Sequence, residues 1–386
     1  MRKLELRMDL ERLHRLLRLG FDKGASDIHF QAGYLPLYRF NGELVELKYK
    51  VLSPEDTASI ARLLVENSGQ DLEGKREVDL AFELPNEGRF RVNISRERSA
   101  YNIVLRVIPL SIKSFEELNL PAVLREIAAI PRGLTLVTGA TGMGKSTTLA
   151  TMLQEINQAR KCKIVTIEDP VEFIFKPELA IITQREIGTD TRGFPSALRA
   201  ALRQDPDVIM VGEMRDAETV DTALKASETG HAVFSSIHTI DVATTLRRIT
   251  SFFPAEEESQ LRDRLAENIQ AIVSLRLLPN KKGTGRVPAV EVMRTTRSIR
   301  ECIREAARTV EISDHISAGG SDLGMQTFDQ HLLSLYQANK ITLETASDAA
   351  SNPRDFATKL ALEGEAAVTQ EAEDGSLNIR GDGSRF

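Results

Sequence analysis

The run Gly139-Ala140-Thr141-Gly142-Met143-Gly144-Lys145-Ser146 constrains this chain more than any other stretch of its 386 residues. It fits the pattern of glycine, four residues, then Gly-Lys-Ser. An apolar, strand-like run (Leu134-Thr135-Leu136-Val137-Thr138) precedes it, and a helical one from Thr147 follows it. Glycines let backbone N–H groups converge on a phosphate, and the helix N-terminus adds partial positive charge. The unit therefore predicts an α/β fold and a nucleoside triphosphate. The expected nucleotide-binding residues are Gly139, Ala140, Thr141, Gly142, Met143, Gly144, Lys145, Ser146 and Thr147, with Lys145 on the β- and γ-phosphates and the Ser146 hydroxyl on Mg²⁺.

Two further strand ends carry acids. Val208-Ile209-Met210-Val211-Gly212-Glu213 is an apolar strand with glycine where many phosphate-loop enzymes place a metal-binding aspartate. Metal coordination should therefore lean on Ser146, phosphate oxygens and water, and Glu213 is free to act as general base toward water. The alternative is a solvated acid capping the helix that begins near Asp216. Lys163-Ile164-Val165-Thr166-Ile167 leads into Glu168-Asp169-Pro170, either a second acidic box or a structural turn. Ligands of open parallel sheets bind beyond the carboxyl ends of the strands, so Glu168 and Glu213 should meet there. His231 and His238 bracket a fourth strand. His238 lies at its carboxyl end and is the candidate γ-phosphate sensor, or else a satisfied surface residue; His231 lies at the opposite end and reads as structural or interfacial.

These strands alternate with helical stretches, which predicts a parallel sheet covered on both faces. Residues 26–109 read instead as a small α+β domain, with Ser53-Pro54-Glu55-Asp56 opening a helix. A basic amphipathic helix at about residues 9–20 either packs on that domain or lies on a membrane. Residues 111–121 form a linker. Beyond residue 294 the pattern is helical, and from Glu363 the composition predicts a disordered tail. Arg89-Phe90-Arg91-Val92-Asn93 alternates polar and apolar residues, placing Arg89 and Arg91 on one strand face, with Arg96, Arg98 and Arg106 close behind. These are either a solvated sheet face or arginines that reach an anion, including the triphosphate of a neighbouring subunit.

Composition removes other classes. With 41% hydrophobic and 27% charged residues the chain is neither disordered nor fibrous. Fifty basic against 56 acidic residues give a net charge of −6, which argues against a nucleic-acid coat. Two cysteines exclude a disulfide scaffold and an all-cysteine zinc site, and fit a reducing cytoplasm. No run reaches the ~18 apolar residues of a membrane span, so membrane contact is expected only through a partner.

The combination of boxes resembles the secretion-ATPase superfamily: residues 139–148, Thr166-Ile167-Glu168-Asp169-Pro170-Val171-Glu172-Phe173, residues 203–216, and Glu228-Thr229-Gly230-His231 through His238-Thr239. Within it, Gly24-Ala25-Ser26-Asp27-Ile28-His29, Arg89-Phe90-Arg91-Val92-Asn93 and Gly324-Met325-Gln326-Thr327-Phe328-Asp329 are similar to the type IV pilus retraction motors, the PilT family.

The resemblance implies a PAS-like N-terminal domain (1–110), a linker (111–121), a RecA-like ATPase core (122–293), a helical C-terminal part (294–350) and a tail (351–386). It implies a cytoplasmic homohexamer at the inner face of the membrane, hydrolysing ATP with Mg²⁺. The ring would act on an inner-membrane platform protein, with a paralogous pilus ATPase among its partners and no nucleic acid. Carried over by position, Glu213 is catalytic, Glu168 and His238 support hydrolysis, and Arg91 and Arg106 match family arginines. Arg98 is displaced by one place. Ser298-Ile299-Arg300-Glu301-Cys302-Ile303-Arg304-Glu305 stands where the family has a run resembling Ala-Ile-Arg-Asn-Leu-Ile-Arg-Glu.

Three readings compete with a retraction motor. Extension or type II secretion ATPases carry a longer N-terminal region and a four-cysteine zinc module. The corresponding residues 278–286 hold no cysteine, so no zinc is expected. A hexameric nucleic-acid translocase would want an aromatic and basic platform, yet Trp is 0 and aromatics are 5%. An accessory subunit that binds ATP without much turnover is opposed by the intact Glu213.

Overall fold

In the computed structural model, the described residues are 8–40, 42–66, 71–84, 88–108, 111–354, 356–358 and 360. The chain divides into two compact units, one of residues 1–112 with 169–176, the other of residues 113–168 with 177–386.

The first unit runs α1 (Leu10–Asp22), β1 (Asp27–Gln31), β2 (Leu37–Phe40), β3 (Glu43–Glu46), α2 (Pro54–Val65), β4 (Glu77–Leu84), β5 (Gly88–Glu97) and β6 (Ala100–Ile108). The strands form one antiparallel sheet in the order β3-β2-β1-β6-β5-β4. Phe90, Val92 and Ile94 of β5 are buried while Arg89, Arg91 and Asn93 face outward, the alternation of a half-buried strand. The α1 leucines Leu13, Leu16 and Leu17 are buried in this unit's core, so the basic helix packs on its own domain. Ser53 and Asp56 form a reciprocal capping box at α2, as its Ser-Pro-Glu-Asp start predicts.

The second unit is built from α3 (Val123–Ala128), β7 (Gly133–Thr138), α4 (Lys145–Ala159), β8 (Lys163–Glu168), β9 (Ile181–Glu186), α5 (Phe194–Ala201), β10 (Val208–Val211), α6 (Ala217–Glu228), β11 (Ala232–Ile237), α7 (Val242–Thr250), α8 (Glu258–Asn268), β12 (Ile269–Pro279), β13 (Arg286–Arg294), α9 (Arg297–Arg304), α10 (Ile312–Leu323), α11 (Phe328–Gln337) and α12 (Leu343–Ala349). Its sheet runs β13-β12-β7-β11-β10-β8-β9, parallel except for the β12–β13 pair. Strands β7, β10 and β11 are buried along their whole length, the signature of a sheet covered on both faces.

Two boundaries differ from the sequence reading. Residues 113–121, expected within a linker, fall in the second unit, where Phe115 is 1% exposed beneath the Arg125 guanidinium. Phe356 is buried with Leu332, Leu335 and Ile341, so ordered packing continues past the residue-351 start of the expected tail. Residues 361–386 lie outside the described residues.

Candidate active site

Parallel pairing sets the site. Strand β7 delivers the phosphate loop beside β11, β11 lies beside β10, and β10 beside β8. The carboxyl ends of these strands therefore present Lys145, His238, Glu213 and Glu168 in that lateral order. The loop's path depends on its glycines. Gly139 has φ +150°, and a Cβ there would stand 2.8 Å from the Leu275 carbonyl oxygen. Gly144, at φ +89°, is the left-handed residue from which α4 springs.

Lys145, 7% exposed, donates to the carbonyls of Gly139 (2.9 Å) and Ala140 (3.1 Å). Its ammonium also stands 3.3 Å from Nδ1 of His238. His238 Nδ1 lies 3.4 Å from the Thr141 hydroxyl, and its Nε2 lies 3.3 Å from Oε2 of Glu213. That oxygen is buried and makes no hydrogen bond, and Arg215 pairs with the other oxygen of the same carboxylate. The sequence-predicted lysine, histidine and acid are thus joined in one chain of contacts. Asp216, not Glu213, caps α6 by accepting from Thr219 N–H at 2.8 Å, which leaves Glu213 outside the capping role.

Gly212 has a local reason. A Cβ on it would meet the Ile167 carbonyl oxygen at 3.3 Å and the Glu168 Cα at 3.5 Å, across the β8–β10 pair. Glu168 is itself buried at the end of β8, and its Oε1 accepts from Thr166 Oγ1 (2.6 Å) and Gln184 Nε2 (3.2 Å). These contacts hold that oxygen toward β9, on the side of β8 away from β10. Ser146 and Thr147 sit half-buried in the first turn of α4. The Ser146 hydroxyl, with phosphate oxygens and water, makes a hard-oxygen set that suits Mg²⁺. His231 lies at the opposite end of β11, its Nδ1 2.9 Å from the Ala226 carbonyl, and takes no part in the site.

The sequence reading missed the support behind His238. Thr138, Ser274 and Glu291 lie opposite one another across β7, β12 and β13. Thr138 Oγ1 donates to Ser274 Oγ at 2.9 Å, and Glu291 accepts from Val242 N–H, the first residue of α7, at 2.9 Å. Asp241 accepts from Thr244 N–H at 2.7 Å, and the Thr239 and Thr245 hydroxyls meet at 2.6 Å. The turn that carries His238 is therefore tied down through a buried polar row reaching the base of the phosphate loop. The available signal was an acid inside the apolar run Val287-Pro288-Ala289-Val290-Glu291-Val292-Met293, since such a charge is seldom buried without a partner.

Burial, aided by Asp241, raises the Glu291 carboxyl from 4.5 to about 7. The folded protein then holds this proton more tightly than the unfolded chain, so its stabilising effect is lost as pH rises from about 4.5 through about 7. Glu291→Gln keeps an acceptor for Val242 and cannot titrate. Across that window wild type should lose ~3 kcal/mol relative to the variant in denaturant unfolding. A pH-independent difference contradicts the assignment. Neighbouring His331 slopes the other way: burial lowers it from 6.5 to about 4, and its Nδ1 accepts from Val290 N–H at 2.9 Å. Comparison with the glutamine variant separates the two contributions.

In the first unit, Arg91 and Arg106 are direct cross-strand partners, Arg106 pairs with Asp27, and Asp27 pairs with Arg39. Like charges directly opposed on a sheet repel, so this row needs an anion. Asp27 supplies one, accepting from Arg106 Nε at 3.0 Å and lying 3.7 Å from Arg39 Nε. Three arginines against one aspartate leave that row net positive. Arg91 and Arg106 also line a pocket of about 150 Å³ with Pro170, Val171, Glu172 and Phe173, the loop that follows the Glu168 box and belongs to this unit. Arg96 is stacked on Tyr101, 4.7 Å from the ring centroid, and Arg98 occupies a two-residue hairpin turn at φ +47°.

Among the described residues, no helix is long and apolar enough to cross a membrane. Residues 10–341 match the family described as "Type II/IV secretion system protein". A Pseudomonas aeruginosa protein named "Type IV pilus retractation ATPase PilT" is 42% identical over 342 residues, covering 88% of this chain and 98% of its own. A "Twitching motility protein" of Neisseria gonorrhoeae is 42% identical over 318 residues, 82% of this chain and 84% of its own. A crystal structure of "the Pilus Retraction Motor PilT and Bound ADP" superposes with a TM-score of 0.81 at 41% identity, covering 91% of this chain and 99% of that one.

Proposed function

The chain belongs to the type II/IV secretion system protein family, and on that footing we propose that it is a homohexameric motor whose ATP hydrolysis drives retraction of type IV pili. It is an ATPase of the same kind as the retraction motors it resembles at 42% identity. The observation that carries the reading is the contact chain Lys145–His238–Glu213 at the centre of the parallel sheet.

In this reading the phosphate loop and Lys145 hold the triphosphate, and Ser146 holds the Mg²⁺ that neutralises its oxygens. Glu213 orients the attacking water and takes its proton on Oε2, the oxygen that faces His238 and makes no hydrogen bond. His238, in contact with both Glu213 and Lys145, reports the γ-phosphate to the turn that enters α7. Glu168 supports the same end of the sheet. Arg91 and Arg106 supply charge to the triphosphate of a neighbouring subunit, and the ring works on an inner-membrane platform protein from the cytoplasmic side, with a paralogous pilus ATPase as a further partner.

Arg91→Ala or Arg106→Ala should lower turnover of the assembled enzyme roughly tenfold or more, about the worth of one charged hydrogen bond. The thermal midpoint of Arg91→Ala should hardly move, because that side chain is exposed. Unchanged turnover in both variants would return this row to a solvated sheet face. Pilus imaging on cells without the protein tests the direction: long, abundant pili support retraction, and bald cells identify an extension motor.

A further inference from the structure

The altered segment Ser298-Ile299-Arg300-Glu301-Cys302-Ile303-Arg304-Glu305 has a chemical feature that ATP hydrolysis leaves unused. Cys302, on α9, is fully buried. After a short 3-10 stretch (Ala306–Glu311) the chain turns into α10, which places His315 one helical turn beyond Glu311 and on the same face. Both are half-buried, and Cys302 Sγ, a Glu311 carboxylate oxygen and a His315 ring nitrogen lie within 4.8 Å of one another.

We propose that Cys302, Glu311 and His315 form a zinc-class metal site that clips α9 to α10. Thiolate, imidazole and carboxylate together are the ligand types zinc takes, and a solvent oxygen completes a tetrahedron. Zinc–ligand bonds of about 2.0–2.3 Å would bring the donors to about 3.5 Å apart, a side-chain adjustment from the observed spacing. Support lies behind the ligands. Arg308 donates to Oε2 of Glu311 through Nε at 3.1 Å and leaves Oε1 for a cation, the outer-shell hydrogen bond that orients ligating carboxylates. Arg308 is also within 4.0 Å of Glu301 and Glu305, so its charge is answered by acids and does not oppose a metal unscreened. Burial favours the protonated Cys302 thiol, and metal binding releases that proton to solvent. The expectation of no zinc rested on the missing four-cysteine module, a different donor set in a different part of the chain.

The test uses full-length protein purified in metal-free buffer and titrated with Co²⁺, followed by the thiolate-to-cobalt charge-transfer absorption, with Zn²⁺ then added as competitor. One equivalent per chain should produce the band, and Zn²⁺ should abolish it. Cys302→Ser should remove the band, His315→Ala should weaken Co²⁺ binding at least ~10-fold, and Cys162→Ser, carrying the other cysteine, should leave it unchanged. Zn²⁺ should raise the thermal midpoint of wild type but not of His315→Ala, a half-buried change that keeps the test valid if Cys302→Ser fails to fold. No band in wild type, or binding as tight as wild type in folded Cys302→Ser and His315→Ala, overturns the proposal.

Discussion

Glu213→Gln is expected to bind ATP with near wild-type affinity while turnover falls at least ~100-fold, the scale of removing a general base. The amide is isosteric with the carboxylate and keeps one oxygen toward His238, but it cannot accept a proton from water. Lys145→Ala should fail at the preceding step. Its ammonium is the buried cation of the phosphate loop, 7% exposed and bonded to two loop carbonyls, and alanine leaves the phosphates without that charge. Nucleotide-binding fluorescence and phosphate release, measured on both variants, separate binding from chemistry. Near-normal hydrolysis by Glu213→Gln would remove this residue from the catalytic role. Equal binding by Lys145→Ala would question the loop itself.

Most of the site was legible because each part sits at a strand end that the local pattern marks. An apolar strand, a glycine loop and Gly-Lys-Ser announce β7 and α4 without tertiary information. Val208-Ile209-Met210-Val211 followed by Gly212-Glu213 does the same for β10. What local pattern cannot carry is lateral order. That Thr138, Ser274 and Glu291 share one buried row depends on β13 pairing with β12 and on β12 pairing with β7, the latter a register that joins residues 136 positions apart. The Arg39–Asp27–Arg106–Arg91 row was hidden for the same reason. The sequence shows arginines on separate strands, and only pairing reveals that Asp27 stands between Arg39 and Arg106.

Residues 169–176 are a further case. Read linearly they continue from β8, yet they pack in the first unit and bring Pro170 and Phe173 against Arg91 and Arg106. The Gly324-Met325-Gln326-Thr327-Phe328-Asp329 motif also acquires a structural account: Gln326 exchanges backbone hydrogen bonds with Val292, and Thr327 with Gln330 caps α11 reciprocally. This anchors α11 to the strand that carries Glu291.

The second large effect is cellular. If hydrolysis powers pilus shortening, a strain whose only copy carries Glu213→Gln should still assemble pili, because assembly does not draw on this site, but should be unable to withdraw them. Single-pilus imaging with labelled pilin in that strain, beside wild type, is the most direct measurement. The motor account predicts pili that extend and then stay extended, with retraction events nearly absent and twitching lost. Cells without pili would contradict the direction, and pili that still retract at wild-type frequency would contradict the central claim that hydrolysis at Glu213 drives retraction.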